Sequence, residues 1–173
     1  MVPNLQKISN TFIFNLLENF KHMKNNIFKQ ETVSQIIERI NKLNPNSKAN
    51  WGKMNVGQML AHCNVTYEMI FSDKYKKPNA FLKFILKKLV KNKVVSDNPY
   101  PKNGKTAPQF IIKDEKNFNT EKQRLIDFIE KTKNLGESHF EGKESHSFGV
   151  LSISEWNNMF YKHLDHHLNQ FGV

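Results

Sequence analysis

Apolar positions recur at helical spacing through most of the chain, and the alternation expected of strands is nearly absent. Leu5, Ile8, Phe12, Leu16 and Phe20, with Ile13 and Leu17 beside them, predict an amphipathic N-terminal helix, followed by a polar connector over 21–29. A second helix is expected from Thr32, with Gln35 completing a capping box, through Val33, Ile36, Ile37 and Ile40 to about Leu43. Asn44-Pro45 ends it, because proline pushes the residue before it out of helical geometry. Asn55, with Gln58 three residues on, opens a helix over 55–71 that carries Val56, Met59, Leu60, Cys63, Tyr67 and Ile70 on one side. Thr120 and Gln123 predict another capping box, leading through Leu125, Ile126, Phe128 and Ile129 to about Leu135, with Gly136 as the stop. Ser152 and Glu155 form the last box. The helix that follows sets Trp156, Phe160, Leu164, Leu168 and Phe171 in one stripe and closes at Gly172, where a left-handed residue is expected.

The stretches between these helices are less regular. Residues 74–93 hold eight lysines and no acid, yet Phe81, Leu82, Phe84, Ile85, Leu86, Leu89 and Val90 give the segment an apolar face. A basic amphipathic helix of this kind can bind membrane surfaces or nucleic acid. The commoner outcome, and the one expected here, is an apolar face packed on the protein with the lysines solvated and their stems covering apolar surface. Residues 96–108, with Pro99, Pro101, Gly104 and Pro108, read as loop, and 109–113 as a short extended piece. In the linker 137–149, His139 and His146 lack helical spacing and read as loop residues.

At 173 residues the chain is most simply one domain. A net charge of +10 and a pI near 9.6 favour anionic partners in general, which bears on association rather than fold. Cys63 is the sole cysteine, so no intramolecular disulfide forms, and nothing near it would lower its pKa; it reads as a small core residue. No apolar run has the length of a membrane span, and Asn15, Glu18 and Asn19 interrupt the N-terminal stretch where a signal peptide would need continuity. A cytoplasmic protein without membrane insertion is the expectation.

The chemistry concentrates in the last helix. By the helical wheel His167 projects into its apolar stripe and His163 lies at the border, whereas His166 falls further round and Asp165 points outward. A single core-facing histidine is ordinarily a hydrogen-bonded packing residue. Two at i, i+4 share a face and can grip one ion. His62, beside the stripe of the 55–71 helix with Thr66 one turn on, is the third candidate. Short links join the helices in two pairs, and a connection of nearly fifty residues separates the pairs. His62 lies early in its helix and His163 and His167 late in theirs. At about 1.5 Å per residue these levels match only if the two helices are antiparallel. An all-α four-helix bundle in up-down-down-up order meets that condition, with an extra helix in the long crossover and a further one at the N-terminus; plain up-down-up-down does not.

Trp51-Gly52-Lys53-Met54, Met59-Leu60-Ala61-His62-Cys63, Pro101-Lys102-Asn103, Thr106-Ala107-Pro108, Phe148-Gly149 and the run from His163 to Val173 resemble a branch of the DinB/YfiT-like superfamily, the damage-inducible four-helix group. The resemblance covers about residues 30–173 and leaves 1–29 as an N-terminal accessory helix and connector without counterpart. It implies an up-down-down-up bundle with a divalent metal held by His62, His163 and His167. Nickel or zinc is expected, since imidazole suits both, with His166 outside the ligand set. Relatives in that superfamily include metal-dependent hydrolases and thiol-dependent transferases.

Three function classes follow, in this order. The first is an enzyme whose metal keeps an open position for water or a thiolate; Glu68 lies off the His62 face and is given no catalytic role. The second is a non-catalytic, stress-response module that binds metal or a small ligand. The third is a nucleic-acid or membrane-surface protein acting through 74–93. The expected partner is a small-molecule substrate or ligand, with no specific nucleic acid; a homodimer stays open.

Overall fold

The computed structural model describes residues 25–173, and the helix expected over 1–20 lies outside the described residues. The described chain is mostly helical: α1 (Gln30–Lys42), α2 (Val56–Phe71), α3 (Ala80–Leu89), α4 (Lys91–Val95), a 3-10 turn (Pro108–Phe110), α5 (Phe118–Phe140) and α6 (Ile153–Gln170). The expectation of an all-α chain holds, with one addition. Residues Glu144–Ser145 (β1) and Gly149–Val150 (β2) pair antiparallel in a small hairpin where the sequence predicts only loop.

The helix starts show where local chemistry decides. Asn55 and Gln58 form the expected reciprocal cap on α2, and Ser152 and Glu155 the one on α6. The other two boxes do not form. Asn117 caps α5 instead, its Oδ1 accepting from the Thr120 N–H, because an asparagine already stands three residues upstream. α1 starts before Thr32, whose hydroxyl accepts from the Asn26 N–H and so ties the incoming chain to the helix. At Gly136 the backbone takes φ 73° and ψ 173°, which only glycine adopts without strain, so the expected stop is a break before a last turn containing His139. Gly172 has the left-handed φ, 76°, expected at the end of α6.

α2 is the central element. Twelve of its sixteen residues are buried, so it has no solvent face, and its polar side chains must find partners inside the protein. Toward α5 it pairs Asn64 with Glu121, Glu68 with Arg124, and Tyr67 and Phe71 with Phe128, so residue numbers rise together. Toward α6 the order is reversed, with His62 against His167, Thr66 against His163 and Tyr67 against Phe160. A slab of aromatic rings fills the centre: Phe128, Tyr67, Phe160 and Trp156 stack in turn at centroid distances of 5.6, 5.2 and 5.6 Å. Ile27 and Phe28, expected in a polar connector, are buried in this core with Val33, Ile36 and Ile40. Two apolar residues are too few for a periodic signal, yet enough to anchor the chain entering α1.

The basic segment departs from expectation. α3 forms, capped by Asn79, but none of its ten residues is buried, and Phe81, Leu82, Phe84 and Leu89 are exposed. The body is closed by α4 instead: Val95 enters the core, and the Lys162 ammonium donates to the carbonyl oxygens of Lys93, Ser96 and Asn98. α3 is left outside that anchor, held to the hairpin by an ion pair between Lys83 and Glu144.

Candidate metal centre

His62, His163 and His167 come together where the start of α2 meets the end of α6, and one ring nitrogen from each lies within 4.8 Å of the other two. Each ring is fixed from behind. His62 Nδ1–H donates to the Phe110 carbonyl at 2.8 Å, so its Nε2 carries a lone pair. The Gln170 amide donates from Nε2 to the Trp51 carbonyl at 2.6 Å, which turns its oxygen toward His167 and makes His167 Nδ1–H the donor at 2.8 Å. His167 Nε2 is thereby free as well. His163 Nδ1 meets the Thr66 hydroxyl at 3.0 Å, and its Nε2 lies 3.0 Å from His62 Nε2. His62 Nε2 has no proton to give, so the network assigns Nε2–H to His163, with the Thr66 hydroxyl donating to Nδ1. A hydroxyl can reverse that role, because it both donates and accepts. His163 can therefore move its proton to Nδ1 and free its Nε2 without losing Thr66.

The donor set fits a divalent cation. At a usual metal–imidazole distance of about 2.0–2.1 Å, two nitrogens on a tetrahedral ion stand about 3.4 Å apart. The cluster brackets that spacing, from 3.0 Å between His62 and His163 to at most 4.8 Å overall. Protonation also favours it. Burial lowers the His62 pKa, and burial with the neighbouring imidazoles holds His163 well below the ordinary range. Burial and His62 bring His167 down to about 3. All three imidazoles are therefore held neutral at pH 7, the form in which they could coordinate a metal.

His166 stands outside the cluster, edge-on to Trp51 and Tyr100 at 5.9 and 5.6 Å between centroids. It lines an open cleft with Trp51, Pro99, Tyr100, Lys102 and Asn169. Cys63 is fully buried and its thiol is pushed up by burial, which suits the core residue read from sequence. Glu68 forms ion pairs with Lys74 and Arg124, away from the histidines. His146 contacts the Tyr75 carbonyl and Ser147, and His139 meets Lys143 on the surface.

The partners behind the rings are what sequence reasoning missed. Thr66 is one turn from His62 on the same helix, and Gln170 is three residues after His167, so both were within reach of a wheel argument. Nothing local signals Phe110, which arrives on the long connection. Gly52 belongs to the same support: its φ is 84°, and a Cβ there would collide with the Gln170 amide as it reaches the Trp51 carbonyl.

No curated protein and no solved structure matches the chain. Residues 23–172 match a family described as a protein of unknown function, DUF1569, and the chain belongs to that family.

Proposed function

We propose that the protein is a DinB/YfiT-like bundle of α1, α2, α5 and α6 in up-down-down-up order, which holds a divalent metal on His62, His163 and His167 and uses it in hydrolysis or thiol transfer. The order of cross-helix pairs supports the bundle: α2 runs with α5 and against α6. α1 runs with α6, since Asn157 meets Ile27 at one end and Asp165 meets Arg39 at the other. The observation that carries the metal reading is three buried or half-buried imidazoles, each secured through Nδ1, with Nε2 left for a common ligand. Such anchoring of the outer nitrogen is characteristic of metal-bound histidine. Nickel and zinc are the ions that suit this set.

A divalent ion held by these three histidines would supply Lewis acidity toward water or a thiol. The chain's own residues orient and shelter. Phe110, Thr66 and Gln170 hold the rings in place, and the Tyr100 and Phe110 rings pack edge-on against His163 and limit water. The cleft beside His166 is the approach for a small molecule, with Lys102 over the Trp51 ring at its rim.

A second reading, a non-catalytic binding module, is favoured by one observation: among the described residues no carboxylate hydrogen-bonds to the three histidines. The test is metal analysis of protein purified without a histidine tag, followed by ester, amide and thiol-conjugation substrates offered to loaded, stripped and His167→Ala protein. Turnover lost on stripping and restored by reloading supports the enzyme. Turnover that survives complete metal removal sinks it, and full occupancy without turnover on any substrate favours the binding module.

A further inference from the structure

We propose that α3 is a docking helix for an anionic lipid surface, in which its apolar face enters the headgroup region and the surrounding lysines meet lipid phosphates. The inference is independent of the metal. Phe81 is 74 % exposed, Leu89 69 %, Phe84 60 % and Leu82 44 %, an unusual concentration of large apolar side chains on one ten-residue helix. At about 100° per residue, Phe84, Phe81, Ile85, Leu89, Leu82 and Leu86 cover an arc of about 200°, into which Lys88 falls between Phe84 and Phe81, with Lys83 and Lys87 opposite. The helix is preformed, since Asn79 Oδ1 accepts from the Leu82 N–H, and its last turn ends against α4.

Charge selects the occupant. Between residues 74 and 93 there are eight lysines and no acid. Lys74, Lys83 and Lys91 are paired with Glu68, Glu144 and Glu155, while Lys87 and Lys88 on α3, Lys76 and Lys77 just before it and Lys93 just after it are exposed. A second copy meeting face to face would bring two such lysine sets together with no acid from either helix. Residues 1–24 hold three lysines and one glutamate, so they cannot neutralise the surface either. Nucleic acid would satisfy the lysines but leave Phe81 and Leu89 in water. A negatively charged bilayer surface satisfies both, as interfacial amphipathic helices do. This is docking at the interface; no described helix is long and apolar enough to cross a membrane.

The experiment is flotation of the full chain with phosphatidylcholine vesicles and with 3:1 phosphatidylcholine–phosphatidylglycerol vesicles, at about 0.15 M salt where surface charge is partly screened. Binding to the anionic vesicles and not to the neutral ones is expected. The variant Phe81→Ser/Phe84→Ser/Leu89→Ser should weaken it by about tenfold or more, and Lys76→Gln/Lys77→Gln/Lys87→Gln/Lys88→Gln by a similar factor. Both variants alter exposed residues, so their thermal transitions should match the parent and any loss can be assigned to the surface. No binding to anionic vesicles overturns the proposal, as does binding that the serine variant retains. Light scattering that finds a dimer dissociated by the serine substitutions also overturns it, in favour of a second copy.

Discussion

α2 buries polar groups on two faces, and the two faces resolve them differently. Toward α5, Glu68 accepts from Lys74, Arg124 and Tyr75, and Arg124 also holds Glu121, which binds Asn64. Burial alone would raise the Glu68 pKa, but these donors prevail and lower it. Charges of both signs are present and cancel; what is left over here, among the described residues, is neutral, the Asn64 Oδ1 within the network and the Tyr67 hydroxyl beside it. Toward α6, three imidazoles gather with no acid among them, their outer nitrogens engaged and their inner ones turned on one another. The charges of the first cluster answer one another within the chain. The second is a set of ring nitrogens close enough together that they could hold a cation. Burial is common to both, so what sets the second apart is three ring nitrogens converging with no charge to balance among them.

If that contrast is right, the two clusters should fail in different ways. The largest effect belongs to His62→Ala, His163→Ala or His167→Ala, each of which would remove one of the three proposed ligands. Zinc sites with four ligands carry about 10–16 kcal/mol, so one ligand corresponds to a loss of affinity on the order of a hundredfold or more. Competition against a chromogenic chelator measures it. Gln170→Ala and Thr66→Val come next, at about 10–100-fold, typical of removing a partner behind a ligating histidine. Thr66→Ser, which keeps the reversible hydroxyl, should restore most of the loss. A Thr66→Val protein with parental affinity would break the assigned proton shift on His163.

Glu68→Gln tests the other cluster. Cutting a fully buried pair costs about 3–5 kcal/mol, but the Arg124 and Lys74 side chains are 39 % and 58 % exposed and can turn to water. The expected cost is about 1–2 kcal/mol of stability, read from urea unfolding, with metal affinity unchanged. Reduced metal binding in this variant would mean that the two faces of α2 are not separate.

Much of this is legible in the sequence. His62 early in one helix and His163 and His167 late in another can meet only if those helices oppose, and the Thr66–His163 and Tyr67–Phe160 contacts run that way. Caps were readable where the favoured residue stood alone, as at Asn55 and Ser152. They misled at Thr120, where Asn117 competes for the same N–H groups, and at Thr32, whose hydroxyl serves the chain before the helix. The hairpin was invisible because two-residue strands have no period to detect. For α3 a wheel identifies the apolar face but not what covers it. That depended on α4 reaching the core first, through Val95.

Acid should separate the clusters in the metal-free protein. The folded histidines are held below their unfolded value of about 6.5, so below that pH the unfolded chain binds protons that the folded one refuses. Stability therefore falls as pH drops from about 6.5, and for His167 the fall continues until pH approaches about 3. Glu68, with its pKa lowered, adds its own loss only as pH falls below the ordinary carboxylate range near 4. Thermal transitions between pH 7 and 5 should decline, and His167→Ala should flatten that decline while Glu68→Gln leaves it.

The smallest effect is expected from His166→Ala, and it is the sharpest check on which histidines form the set. His166 neighbours two of the candidates in sequence, and its ring centroid is 5.0 Å from that of His167. Its own contacts are with Trp51 and Tyr100, on the cleft side of α6. Its removal takes away no nitrogen that converges on the other three, and metal affinity should stay within about twofold, far below the 10–100-fold that even an outer partner contributes. It should also relieve a slight repulsion, since His166 contributes to lowering the pKa of His62 and His167. Affinity lost in His166→Ala and kept in His163→Ala would exchange the two residues, and with them the assignment of Thr66 as the partner that accommodates the ion.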